Sequence, residues 1–212
     1  MYSLNNLDEK LLKYLNFNNG FFIEAGANDG ISQSNTLMYE QKFNWSGLLV
    51  EPSFIKYEEC KKNRPNCIVE NYALVNENYK EKTIYGDFDY FEKHQSLCGQ
   101  ITRKEEYFDD DLKWNLDEKN KNSKIIEVPC ATLNSILEKH NINHIDFFSL
   151  DVEGYEIEVL SGFNVQKYKP KYFLIETGNE YRYNTICSYM FSRNYKILEN
   201  ISDVDTLFTY EN

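Results

Sequence analysis

Proline is scarce, at 4 in 212 residues, and no stretch is rich in glycine and serine. No flexible linker is therefore visible, and the chain is too short for two ordinary domains, so one domain over residues 1–212 is expected. Long apolar runs are missing as well; none approaches the roughly 20 residues that span a bilayer. Residues 1–15, MYSLNNLDEKLLKYL, hold no basic stretch, apolar core or small-residue cleavage site of a signal peptide. The cytoplasm is the expected compartment. A cationic surplus is also lacking: Lys and Arg number 23 against 34 Asp and Glu, a net charge of −11. Binding a phosphate backbone needs clustered Lys and Arg, so nucleic acid is not the expected partner. The five cysteines (Cys60, Cys67, Cys98, Cys130, Cys187) are odd in number and irregularly spaced. That fits neither a disulfide framework nor a CxxC metal site, and no internal repeat is evident.

What the chain does have is an alternation of short apolar runs with helical periods. Leu4, Leu7, Leu11, Leu12 and Leu15 recur at spacings of three and four, which predicts an amphipathic helix over 4–18. Strands are expected at 21–23, 47–50 and 67–69, with a helix near 34–42 and another capped by Ser53 and running to Lys62. Further strands are expected at 126–129, 145–152, 172–175, 195–198 and 206–210. Thr132 should cap a helix to about His140, and another helix should lie near 183–193. Between 86 and 124 the rhythm fails; this polar, charge-rich excursion reads as a lid or a border to the acceptor side of a site, because long loops are uncommon elsewhere. Strands that are apolar along their whole length belong to a parallel sheet covered on both faces. The last two strands are too closely joined for a parallel crossover and must form an antiparallel hairpin.

Ligands of such sheets bind beyond the carboxyl ends of the strands. The first such end reads Phe22-Ile23-Glu24-Ala25-Gly26-Ala27-Asn28-Asp29-Gly30. It lacks the middle glycine of the dinucleotide fingerprint, and it carries Glu24 and Asp29 where a pyrophosphate would want positive potential. Two carboxylates suit a cationic ligand bearing an ammonium and a sulfonium. Glu51 ends the second strand, where an acid binds ribose hydroxyls. The combination favours S-adenosylmethionine over NAD.

FIEAGANDG, LLVEPS, the NYAL segment at 71–74, TLNSIL at 132–137 and DFFSLDVEGYEIEVLSGF at 146–163 together resemble the FkbM family of S-adenosylmethionine-dependent methyltransferases, from about residue 20 to 177. The resemblance implies the class I, Rossmann-like methyltransferase fold: α/β, with a mostly parallel seven-stranded sheet that ends in an antiparallel hairpin and helices on both faces. It implies methyl transfer to hydroxyl oxygens, of sugars or polyketides in known members. By the same resemblance Glu24, Gly26, Ala27, Asn28, Asp29 and Gly30 would surround the methionine part of the cofactor, and Glu51 with Pro52 the ribose. Asn71, Tyr72 and Ala73 would flank the adenine, with Asp151, Val152 and Glu153 beside the reacting centre. Two positions depart from the family pattern: Ser149 stands where members often have lysine, and Asn134 where they have aspartate.

Other groupings compete for attention. His140 and His144 are four apart, a metal spacing on one helix, but Asn141 and Asn143 fall where a helix should end. Asp151 and Glu176 could meet at adjacent strand ends as oxygen ligands of a divalent metal, an arrangement that is possible but not favoured. Tyr181-Arg182-Tyr183 could stack a sugar ring. A hydroxyl needs a base to take its proton, and two candidates stand open: Asp151 by position and His94 by intrinsic pKa. The expected activity is O-methyl transfer to a hydroxyl of a sugar, glycan or related small molecule. An NAD-binding oxidoreductase and a non-catalytic binding module of the same fold are the alternatives.

Overall fold

Side chains alternate across a strand, so a strand that is apolar at every position must find a core on each side. The main sheet shows this alternation. Phe22, Leu49, Phe147 and Leu174 pack into one core, while Ile23, Leu48, Phe148 and Phe173 pack into the other. The computed structural model describes residues 2–88, 100–101 and 126–211. Its strands are β1 (Phe21–Ala25), β2 (Ser46–Val50), β3 (Ile68–Glu70), β4 (Ala73–Leu74), β5 (Thr83–Asp87) and β6 (Gln100–Ile101), then β7 (Ile126–Ala131), β8 (Phe147–Leu150), β9 (Tyr172–Glu176), β10 (Tyr195–Asn200) and β11 (Asp205–Tyr210).

Seven of these strands form one sheet in the order β3-β2-β1-β8-β9-β11-β10. The first five are parallel, and β11 runs antiparallel to both β9 and β10. The chain works outward from β1 to β3 and then returns to lay β8 on the other side of β1. The strand order therefore reverses between β1 and β8, and the crevice that opens there is where this class of sheet binds ligands.

The main helices are α1 (Leu7–Lys10), α2 (Leu12–Leu15), α3 (Leu37–Phe43), α4 (Phe54–Asn63), α5 (Leu133–Lys139), α6 (Glu156–Ser161), α7 (Val165–Tyr168) and α8 (Glu180–Phe191). Two start where their caps predict. The Ser53 hydroxyl accepts the Lys56 N–H, and the Thr132 hydroxyl accepts the Ser135 N–H. No helix among the described residues is long and apolar enough to cross a membrane.

Three stretches depart from their sequence patterns. The helix expected over 4–18 is broken into a 3₁₀ turn (Leu4–Asn6) and the short α1 and α2. Asn5 and Asn6 take left-handed φ values of 51° and 58°, which asparagine tolerates better than most residues. Ser3 and Asp8 bond each other across the break, and Leu7, Leu11 and Leu15 still reach the core. Residues 126–131 form a strand outside the main sheet. There β7 pairs parallel with β4 and antiparallel with β5, within a second sheet of order β4-β7-β5-β6. The reason lies in its alternation: Val128 packs with Ala73, Val75, Ile84 and Phe88, while Glu127 and Pro129 stay exposed, so β7 has one core face rather than two. The excursion over 86–124 begins with the end of β5 and Phe88 and includes β6; residues 89–99 and 102–124, with His94 and Cys98, lie outside the described residues.

Candidate functional site

The crevice beyond β1, β2 and β8 is a cleft open to solvent and lined by residues of the loops that leave these three strands. Its floor is the loop after β1. Gly26 has φ +82°, and a Cβ there would fall 1.9 Å from the Asp151 carbonyl oxygen. Only glycine lets the loops leaving β1 and β8 cross this closely. Next in the loop, the backbone N–H of Asn28 donates to Glu51 Oε2 at 2.8 Å. Gly30, at φ +77°, covers Arg64 and Cys60 instead of the cleft.

Glu24, the last but one residue of β1, is almost fully buried. Its carboxylate accepts the Asn35 N–H at 2.7 Å, the Ser34 hydroxyl at 2.9 Å and the Thr36 hydroxyl at 2.6 Å. Beneath it lies Arg64, at the end of α4 and wholly buried. The guanidinium pairs with Glu40 through Nε and reaches Glu24 at 3.8 Å. It also donates to the Gly30 carbonyl at 3.0 Å, to Ser34 Oγ at 3.2 Å and to Thr36 Oγ1 at 3.1 Å. Glu24 thus grips the 34–36 turn through both of its oxygens. Asp29 closes a turn of its own, accepting the N–H groups of Ile31 and Ser32 and the Ser32 hydroxyl, and it does not line the cleft.

On the β2 side Glu51 is buried at the cleft edge, and its second oxygen accepts the Ser53 N–H at 2.9 Å. Burial outweighs these hydrogen bonds and pushes its pKa up to about 7. Asn71 faces away from the lining; its amide donates to the Glu51 and Pro52 carbonyls at 2.8 and 2.9 Å and so fixes that corner. Tyr72, Ala73, Leu74 and Phe88 form the facing wall, with Pro52 and Lys56 at its rim.

Asp151, Val152 and Glu153 line the β8 end. The Asp151 carboxylate faces the open cleft yet sits deep among protein atoms. That desolvation, followed by the charges of Glu176, Glu153, Asp205 and Glu156, raises its pKa well above the ordinary aspartate value. Among the described residues none pairs with it. Its neighbours are committed elsewhere: Glu156 accepts the N–H groups of Val152 and Gly154, and Arg182 pairs with Glu176 at 3.2 Å and Glu156 at 3.6 Å. Tyr181 projects into solvent, 79% exposed. The two histidines part company: His140 contacts Glu70, whereas His144 meets Asp146 at 3.0 Å. Among the described residues no three His, Cys, Asp or Glu side chains are grouped to hold a metal ion.

Sequence reasoning missed Ser34, Asn35, Thr36 and Arg64. Three small polar residues directly before an apolar helix were the available signal for the turn. Arg64 had none, because its partners lie 24 to 40 positions earlier in the chain.

Comparison with known proteins bears on the family and the fold. A family model described as the methyltransferase FkbM domain matches residues 24–197. The METTL16 methyltransferase domain shares the fold at a TM-score of 0.55 and 9% identity, over 98% of this chain and 67% of that one. A human methyltransferase 10 domain containing protein shares it at a TM-score of 0.51 and 9% identity, over 97% and 81%. No curated protein matches the sequence significantly. The fold is that of a class I methyltransferase. Within that class, the chain belongs to the FkbM family of S-adenosylmethionine-dependent methyltransferases.

Arg64→Met should cost about 3–5 kcal/mol of stability, because Glu24 and Glu40 lose their buried counter-charge. Urea unfolding followed by circular dichroism measures this, and a loss below about 1 kcal/mol would mean that the guanidinium holds nothing in place.

Proposed function

We propose that the cleft binds S-adenosylmethionine and that the protein transfers a methyl group to a hydroxyl of a sugar, glycan or related small molecule. When bound, this cofactor supplies a methyl group activated by a sulfonium leaving group. The residues present fit it. A carboxylate directly after β2 stands where ribose hydroxyls would donate, and an apolar wall of Tyr72, Ala73 and Leu74 suits a purine. Two buried side-chain oxygens on the lining, those of Asn28 and Asn35, have no partner among the described residues, as expected of atoms that meet a ligand.

The observation that carries the reaction type is Asp151. A hydroxyl must lose its proton as it is alkylated, and a base works best when its pKa approaches the working pH. An ordinary aspartate is too weak a base, and Asp151 is raised by its surroundings. In this reading the Asp151 carboxylate, on the cleft lining, takes that proton. The four acidic neighbours favour a neutral or cationic acceptor over a phosphate-bearing one. His94, the other candidate base, lies outside the described residues.

Release of S-adenosylhomocysteine in the presence of a panel of sugars and glycans tests the activity. Asp151→Asn should then lower kcat by roughly 10²–10⁴ with much less change in cofactor affinity. The wild-type rate should climb with pH through a pKa above the ordinary aspartate range, because the protonated carboxyl cannot act as base. Full activity of Asp151→Asn at saturating cofactor would contradict this assignment.

Glu51 makes a second prediction. Hydroxyl donors favour its ionised form, so a proton competes with the ligand. Calorimetry should show affinity for S-adenosylhomocysteine rising from pH 6 to pH 7 and levelling near pH 8. Glu51→Gln should flatten that dependence and weaken binding about ten- to a hundredfold; an unchanged pH profile in the variant would place Glu51 outside the ribose site.

A further inference from the structure

The two carboxylates that the sequence offers to a cationic ligand are both turned to other tasks. Glu24 holds the 34–36 turn and faces Arg64, and Asp29 closes its own turn. Glu24 still borders the cleft, and a second, uncommitted acceptor stands beside it there. Asn35 is 8% exposed and lies on the cleft lining, and its side-chain oxygen has no hydrogen-bond partner among the described residues. Such an atom is costly to bury unless something donates to it.

The asparagine is held from two sides. Glu24 and Ser149 stand opposite each other in the register of β1 and β8. Glu24 accepts the Asn35 backbone N–H at 2.7 Å, and Ser149 Oγ accepts its side-chain Nδ2 at 3.0 Å. With the amide nitrogen turned to Ser149, the oxygen is left as an acceptor. Asn28 Oδ1, also buried and without a partner among the described residues, is a second acceptor on the same lining. The expected ribose acceptor, Glu51, follows β2, whereas Asn35 leans on β8, so a ligand anchored at Glu51 must extend across β1 to meet it.

Resting on the methyltransferase reading, we propose that Asn35 Oδ1, oriented by Ser149, accepts a hydrogen bond from the ammonium of the cofactor's amino-acid end. Ser149 is the position where the resemblance leads one to expect lysine. A lysine ammonium there would compete for the oxygen and repel a second cation; the serine hydroxyl takes the amide nitrogen and leaves the oxygen open. Ser149 is a positioning residue in this arrangement, and Asn35 is the contact.

Isothermal calorimetry with S-adenosylhomocysteine, its analogue lacking the amino group and its analogue lacking the carboxyl group tests this. Asn35→Ala keeps the backbone bond to Glu24 and should weaken S-adenosylhomocysteine by about ten- to a hundredfold. It should leave affinity for the deamino analogue unchanged. Ser149→Ala should show the same selectivity with a smaller loss, and it serves if Asn35→Ala fails to fold by circular dichroism. In the double variant the serine change should add nothing. Equal losses for S-adenosylhomocysteine and the deamino analogue would overturn the proposal. So would a loss that vanishes only with the decarboxylated analogue, which would mean that Nδ2 faces the ligand. Failure of the wild type to bind any of the three would overturn the methyltransferase reading beneath it.

Discussion

A single buried guanidinium organises the functional end of this molecule. Arg64 has no access to water, and moving such a charge into the interior costs several kcal/mol unless geometry and hydrogen bonds repay it. Repayment comes from Glu40, Glu24, the Gly30 carbonyl and the hydroxyls of Ser34 and Thr36. These groups belong to β1, to the loop that follows it and to α3, so one side chain from the end of α4 ties together the segments that build the cleft floor. Glu24, neutralised from below, is then free to shape the turn above it. The acidic residue at the end of the first strand acts here as an internal anchor.

That anchoring places the lining. With the 34–36 turn fixed, Asn35 lies over β8 and Ser149, while Gly26 passes within contact distance of the Asp151 backbone. On the far side, Glu51 ties the glycine loop to α4 through the N–H groups of Asn28 and Ser53, and Asn71 fastens the Glu51–Pro52 corner. The loop is therefore shaped by three strands before any ligand arrives. Preorganisation of this kind lowers the ordering cost of binding. It also leaves Asp151 apart, a carboxylate with raised pKa in an acidic neighbourhood whose one guanidinium among the described residues, Arg182, is engaged by Glu156 and Glu176.

Much of this was legible in the order of residues. Phe21 to Ala25 and Phe147 to Leu150 could only be strands buried on both faces, and the short span between Asn200 and Asp205 required a hairpin. That Glu51 and Asp151 would line the cleft was legible because ligands of this architecture bind beyond strand ends. The role of Glu24 was not, because what a carboxylate meets depends on a partner 40 positions away. The strand at Ile126–Ala131 was visible, yet its sheet was not; only the one-sided burial of Val128, set against exposed Glu127, assigns it to the smaller sheet. The break in the first helix depends on two asparagines in left-handed conformation, which leucine spacing cannot reveal.

The central claim is that one nucleoside ligand occupies this cleft in contact with all three strand ends. Hydrogen–deuterium exchange by mass spectrometry, with and without S-adenosylhomocysteine, tests it most directly. The account predicts slower exchange in segments 26–35, 51–53, 72–74 and 151–155, and no change in the distant hairpin at 195–210. Protection that appears with NAD instead, or that falls outside these segments, would contradict it.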